Sequence, residues 1–150
     1  MQIDGLLHEY TGSVFLMGLT IYREAANQPT DGQVAVAHVI MTRAKHGGWE
    51  GENPYEVITK REQFSSITHL GDPMTVVFPK LIDRVFQRCL QIALEVYEGS
   101  LPNPVPGADH YCTAAVAAKT KWADETKFLK QIGAHRFYRL DGDPAAVKAA

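Results

Sequence analysis

The sequence predicts an α+β fold in one domain, mainly helical, with a small antiparallel β element in the C-terminal third. Three observations lead there. Apolar residues recur at helical spacing from Val14 to Ala25 and from Leu81 to Tyr97, and the stretch Val34 to Met41 is apolar almost all round. Two short aromatic runs, Ala108 to Thr113 and Ala134 to Leu140, carry strand-forming residues. At 150 residues the chain can bury a real core without disulfide or metal staples.

Taken in order, a first helix is expected to start near Thr11 or Ser13, with Val14, Met17, Gly18, Ile21, Tyr22 and Ala25 on one face. Pro29 halts it, and Thr30-Asp31-Gly32-Gln33 has the spacing of a capping box opening a second helix. That helix should run through the middle of the domain, because it has almost no polar face. The glycines of GGWEGENP mark a loop, after which Asn53-Pro54 supplies a cap and a first-turn proline for a short helix. REQFSSITHLGDP reads as irregular. Pro79 is expected to begin a helix whose stripe runs Leu81, Ile82, Val85, Phe86, Cys89, Leu90, Ile92, Ala93, Val96, Tyr97 and ends at Gly99. LPNPVPG is a connector, since its three prolines remove donors and fix φ. Between the two aromatic strands, KTKWADETKFLKQIG reads as a loop and a brief helix. The core should span about residues 11 to 140, with 141 to 150 a loose tail.

Composition excludes several classes. Lys plus Arg total 15 against 17 for Asp plus Glu, a net charge of −2, so the basic excess of a nucleic-acid binder is missing. No apolar stretch approaches the roughly 20 residues that span a bilayer, which argues against membrane insertion. MQIDGLLHEY has neither the basic nor the apolar region of a secretory signal. Cys89 and Cys112 stand alone without a CxxC neighbour, and Cys89 fits core packing. The six histidines, His8, His38, His46, His69, His110 and His135, show no HExxH and no paired i, i+4 spacing, so no metal and no cofactor are expected. There is no GxSxG nucleophile elbow and no glycine-rich phosphate loop.

One carboxyl stands out. Glu24 hangs where two helices meet, and apolar surroundings there would raise its pKa and suit it to general acid catalysis. A solvated carboxylate near a helix C-terminus fits the local pattern better when that pattern is taken alone. Gln63, Ser65, Tyr111 and Trp122 can line a groove in which rings stack on sugar faces and amides or hydroxyls bond sugar substituents. The competing role for Phe64 and Trp122 is to anchor loops onto the core.

Together these residues resemble the spore-cortex-lytic (SleB-like) family of bacterial cell-wall hydrolases. The matches are Glu24-Ala25, Pro29, Gly32-Gln33, Ala35-Val36 and Arg43, then Gln63-Phe64-Ser65, then Gly107-Ala108 with Tyr111 and Trp122, then Ile132-Gly133-x-His135-x-Phe137, in order over about residues 16 to 138. Gln28 stands where the family often has a second acid, and Thr42 where it has asparagine before the arginine. The resemblance implies a lysozyme-like fold and cleavage of the β-1,4 bond between N-acetylmuramic acid and N-acetylglucosamine in peptidoglycan. It implies the lytic transglycosylase route, in which Glu24 alone serves as acid and then base. Gln63, Ser65, Tyr111 and Trp122 would bind the glycan. The alternative is a hydrolytic muramidase that pairs Glu24 with Asp31, Glu62 or Asp124. A zinc amidase, a non-catalytic glycan-binding domain and a morphogenetic protein are further alternatives. The expected partner is the peptidoglycan glycan strand, bound by a monomer. The expected setting is a bacteriophage endolysin, held in the host cytoplasm until the membrane is permeabilised and then acting on the wall.

Overall fold

The computed structural model describes residues 3–61 and 63–141. The tail from 142 onward and Glu62 lie outside the described residues. The chain folds as α1 (Ile3–Ala25), α2 (Thr30–His46), α3 (Pro54–Thr59), α4 (Ser65–Thr68), α5 (Arg84–Tyr97), β1 (His110–Thr113), α6 (Ala114–Ala117), β2 (Phe128–Ile132) and β3 (His135–Tyr138). The strands form one antiparallel sheet in the order β1-β3-β2. The expected class, mainly helical with a small antiparallel sheet toward the C-terminus, is the one observed. Among the described residues no helix is long and apolar enough to cross a membrane.

Helix α2 is the spine of the domain. Val36, Ala37, Val39 and Ile40 are wholly buried, packed with Met17, Ile21 and Ala25 of α1 and with Cys89 and Ala93 of α5. Its start differs from the expected capping box. Pro29 occupies the cap position with no side-chain hydrogen bond, and Gln33 Nε2 instead donates back to the carbonyls of Ala25 and Ala26 at 3.1 and 3.4 Å. The Ala25 carbonyl, at the last residue of α1, also accepts from the Gln28 N–H at 3.0 Å, so Gln33 adds a second donor at that helix end instead of closing its own turn. The bond also fixes the elbow on which Glu24 sits.

Helix α1 begins at Ile3, well before the expected Thr11 or Ser13. The extra turns are held from outside: the Tyr10 ring meets Tyr97 edge-on at 5.3 Å and its hydroxyl donates to Glu98 at 3.1 Å. Near the middle α1 crosses α5 closely at Gly18, where a Cβ would lie 3.1 Å from the Cα of Leu90. Gly18→Val is therefore expected to lower stability by about 2 kcal/mol through overpacking, measurable by urea unfolding.

Helix α3 starts as expected, with Asn53 Oδ1 accepting from the Glu56 N–H at 2.9 Å and Pro54 in the first turn. Helix α5 starts at Arg84 rather than at Pro79, because Asp83 caps it, accepting from the N–H groups of Val85 and Phe86 at 2.8 and 3.2 Å. Leu81 and Ile82, expected in the apolar stripe, are 71% and 80% exposed. The stripe is Phe86, Cys89, Ile92, Ala93 and Val96, and burial pushes the Cys89 thiol up to about 11, which leaves it an inert core residue. The helix ends at Gly99, whose φ of 79° lets the Ser100 N–H reach the Glu95 carbonyl at 2.8 Å.

Strand β2 occupies part of the stretch expected to be a loop and brief helix. Gly133, at φ 57°, and Ala134 turn it back onto β3, with Ile132 opposite His135. Most of β2 is exposed and it carries an irregularity between Phe128 and Lys130, so it lacks the alternation that marks a strand in sequence. The hairpin is tied to the α1–α2 elbow by the Ala134 N–H, which donates to Gln28 Oε1 at 2.8 Å.

Candidate active site

The elbow, the 63–65 segment, β1, β3 and the loop carrying Trp122 enclose a groove of about 460 Å³. Glu24, Gln63, Ser65, Tyr111 and Trp122 all line it, so residues distant in sequence meet in one place. Arg43, Thr113 and His135 also line it. Glu24 is the carboxylate among those lining residues. A larger concavity of about 740 Å³ lies between the start of α1 and α3, beside His8, Phe15, Tyr55 and Glu56. It contains no buried ionisable group, and the chemistry therefore points to the smaller groove.

Glu24 lies in the last turn of α1, half-buried. Its Oε1 accepts a hydrogen bond from Ser66 Oγ at 3.1 Å. Burial raises its pKa, the Ser66 hydroxyl partly offsets that, the negative charge of Asp72 raises it further and Arg43 lowers it. Ser66 was not anticipated. It sits one residue beyond the Gln63-Phe64-Ser65 element, and the short helix α4 turns its side chain inward while Ser65 is exposed and donates to Asp72 Oδ2 at 2.7 Å.

Arg43 is the other residue whose role was not assigned in advance. Fully enclosed, it donates from Nε to the Asp109 carbonyl at 2.7 Å and from Nη1 to Gln63 Oε1 at 3.0 Å, and it lies 5.0 Å from the centre of the Phe64 ring. The amide oxygen of Gln63 is thus spoken for, which leaves its NH₂ group for a ligand. Phe64 is core, 3% exposed, as its anchoring role requires.

Tyr111 and His135 share the groove wall, with ring centres 4.9 Å apart. The Tyr111 hydroxyl and His135 Nδ1 have no hydrogen-bond partner among the described residues. Burial pushes the tyrosine pKa well above its usual value, with the Glu24 charge adding to the rise, and burial lowers that of His135, which is neutral at pH 7. Trp122 is half-buried, 5.1 Å from His110 and edge-on to Tyr138 at 5.6 Å, so it both anchors its loop and lines the groove.

Of the second acids considered, Asp31 is exposed beside a separate depression and Asp124 caps the turn at Glu125–Lys127 through Thr126. Neither lines the groove. Among the described residues no group of three or more His, Cys, Asp or Glu side chains is placed to hold a metal ion.

Residues 27–138 match the profile of the family described as Cell Wall Hydrolase. The chain belongs to that family. Two solved structures share the fold of this cell wall hydrolase. The catalytic domain of the Bacillus cereus SleB protein is 25% identical, with a TM-score of 0.67 over 86% of this chain and 91% of that one. The catalytic domain of the germination-specific lytic transglycosylase SleB from Bacillus anthracis is 25% identical, with a TM-score of 0.66 over 85% and 94%. No curated protein matches. These findings bear out the expected lysozyme-like plan and make the chain a cell-wall-degrading enzyme, acting on peptidoglycan.

Proposed function

We propose that this cell wall hydrolase cleaves the β-1,4 bond between N-acetylmuramic acid and N-acetylglucosamine as a lytic transglycosylase, with Glu24 as its single acid and base. The observation that carries this reading is that Glu24 is the one carboxylate lining the groove among the described residues, shielded enough that its proton is held more tightly than usual. A protonated Glu24 delivers its proton to the glycosidic oxygen as that bond breaks. The resulting carboxylate then takes the proton of the muramic acid 6-hydroxyl as that oxygen closes on C1, giving a 1,6-anhydro ring. Charge and protons balance with no water consumed. The likeness to a protein described as a lytic transglycosylase supports the same route.

The polar atoms around the acid suit a sugar ligand. The Gln63 NH₂ group offers donors for hydroxyl or acetamido oxygens, and the Tyr111 and Trp122 rings offer apolar faces. A hydrolytic route needs a second, ionised carboxylate to activate water. Asp72 is held ionised near Glu24, but its two oxygens are engaged by the Met74 N–H and the Ser65 hydroxyl. Mass spectrometry of muropeptides released from purified sacculi decides the matter. Muropeptides with 1,6-anhydro ends are expected, and reducing muramic acid ends in their place would refute the transglycosylase route.

A further inference from the structure

Arg23 precedes the proposed acid in α1, is 9% exposed, and spends its guanidinium on backbone rather than on a carboxylate. Its Nη1 donates to the Ser66 carbonyl at 2.9 Å, Nη2 to the Thr75 carbonyl at 3.2 Å and Nε to the Val77 carbonyl at 3.0 Å, while the Phe78 ring covers it at 5.0 Å. One planar fork therefore grips both ends of the loop from 66 to 77. Inside that loop Asp72 ties a second knot, accepting from the Ser65 hydroxyl and the Met74 N–H, with the Thr75 hydroxyl donating to the Asp72 carbonyl at 2.8 Å. The loop otherwise holds α4, the turn at Pro73–Val76 and local turn bonds such as the Asp72 N–H to the His69 carbonyl at 2.9 Å, and none of these ties one end of the loop to the other. Ser66, whose hydroxyl meets Glu24, stands at the gripped end.

We propose that Arg23 is a positioning residue for catalysis: by holding the carbonyls of Ser66, Thr75 and Val77 it sets where the Ser66 hydroxyl meets Glu24, and so sets the orientation of the acid. The inference rests on Glu24 being that acid. Lysine keeps the charge but is a point donor that cannot span three carbonyls, so Arg23→Lys is the informative change. Ser66→Ala is its complement, because it removes the hydroxyl while leaving the carbonyl that Arg23 grips.

A general acid works while protonated, so rate falls as pH rises through its pKa. The Ser66 hydroxyl favours the ionised form, and losing its bond moves that alkaline limb upward. The test is kcat and KM against pH on soluble glycan fragments, with melting curves alongside. Arg23→Lys is expected to lower the plateau kcat about tenfold, to change KM less than about twofold, and to raise the limb by roughly half a pH unit. Ser66→Ala should raise the limb equally, and the double variant should add nothing further. If Arg23→Lys does not fold, Arg23→Gln, which still donates two bonds, carries the same test. A limb that vanishes in Glu24→Gln yet stays put in the Arg23 variant, with only melting temperature lowered, overturns the positioning role alone. Activity surviving in Glu24→Gln overturns the acid and the positioning role together.

Discussion

Glu24→Gln is expected to lower turnover of purified sacculi by at least about a thousandfold while making the folded domain more stable at pH 8. Both results come from one cause. Burial against the groove wall favours the protonated carboxyl, so the native state binds this proton more tightly than the unfolded chain does. As pH rises from the unfolded pKa through the native one, the unfolded chain holds fewer protons than the native state, and stability falls across that window. Above it the native protein carries a partly dehydrated negative charge near Asp72. Glutamine has the same shape, accepts from Ser66 and never ionises. Its gain over wild type should therefore be present at pH 8 and absent below the ordinary carboxylate pKa. Activity comes from turbidity loss and stability from melting curves at pH 4 and pH 8. A variant that stays inactive but melts identically to wild type at both pH values would show Glu24 to be well solvated, contrary to the burial seen here.

What could be read in advance follows from where the physics is local. Helix α2 announces itself because its middle, Val34 to Met41, is apolar almost all round, and α3 because a cap and a first-turn proline act within one turn. Glu24 was legible as an acid at a helix junction. The start of α1 was not, since Tyr10 is held by Tyr97 and Glu98 far along the chain. Strand β2 was hidden because an exposed, bulged edge strand buries too little to impose alternation. In the site, the five residues expected to meet do line one groove, but the bonds that organise them are long-range. Ser66 reaches Glu24 across 42 positions, and Arg43 reaches Asp109 across 66. Gln28 shows the same effect: standing where relatives of the resemblance often carry an acid, it pins the β2–β3 turn through Ala134, a role that no spacing rule could signal.

Arg43→Met should cost about 3 to 5 kcal/mol at pH 7, the largest stability loss expected from any single change in the groove. The reason lies beneath the groove floor. Arg43 is the cation among several buried groups: Glu50 and Asp109, both fully enclosed, and Glu24 above them. Glu50 bonds His46 Nδ1 at 2.8 Å through Oε2, while its Oε1 has no hydrogen-bond partner among the described residues. Asp109 Oδ1 accepts from the Leu140 N–H at 2.7 Å and contacts His110 Nδ1 at 3.1 Å, and burial lowers the His110 pKa so that this imidazole adds little positive charge. Methionine fills the volume but removes the positive charge that faces Glu50 and Asp109, and frees both the Asp109 carbonyl and the Gln63 amide. Lysine should recover part of the loss through its charge, though not the two-pronged bonding. The pH dependence gives the sign. Burial already raises the Glu50 pKa, and removing Arg43 raises it further, so acidification through that range neutralises the group and returns stability. Urea unfolding at pH 7 and at pH 4, below the ordinary carboxylate pKa, should show the Arg43→Met deficit shrinking at the lower pH. A deficit that is unchanged between them would mean that packing around Phe64, rather than charge compensation, is what Arg43 contributes.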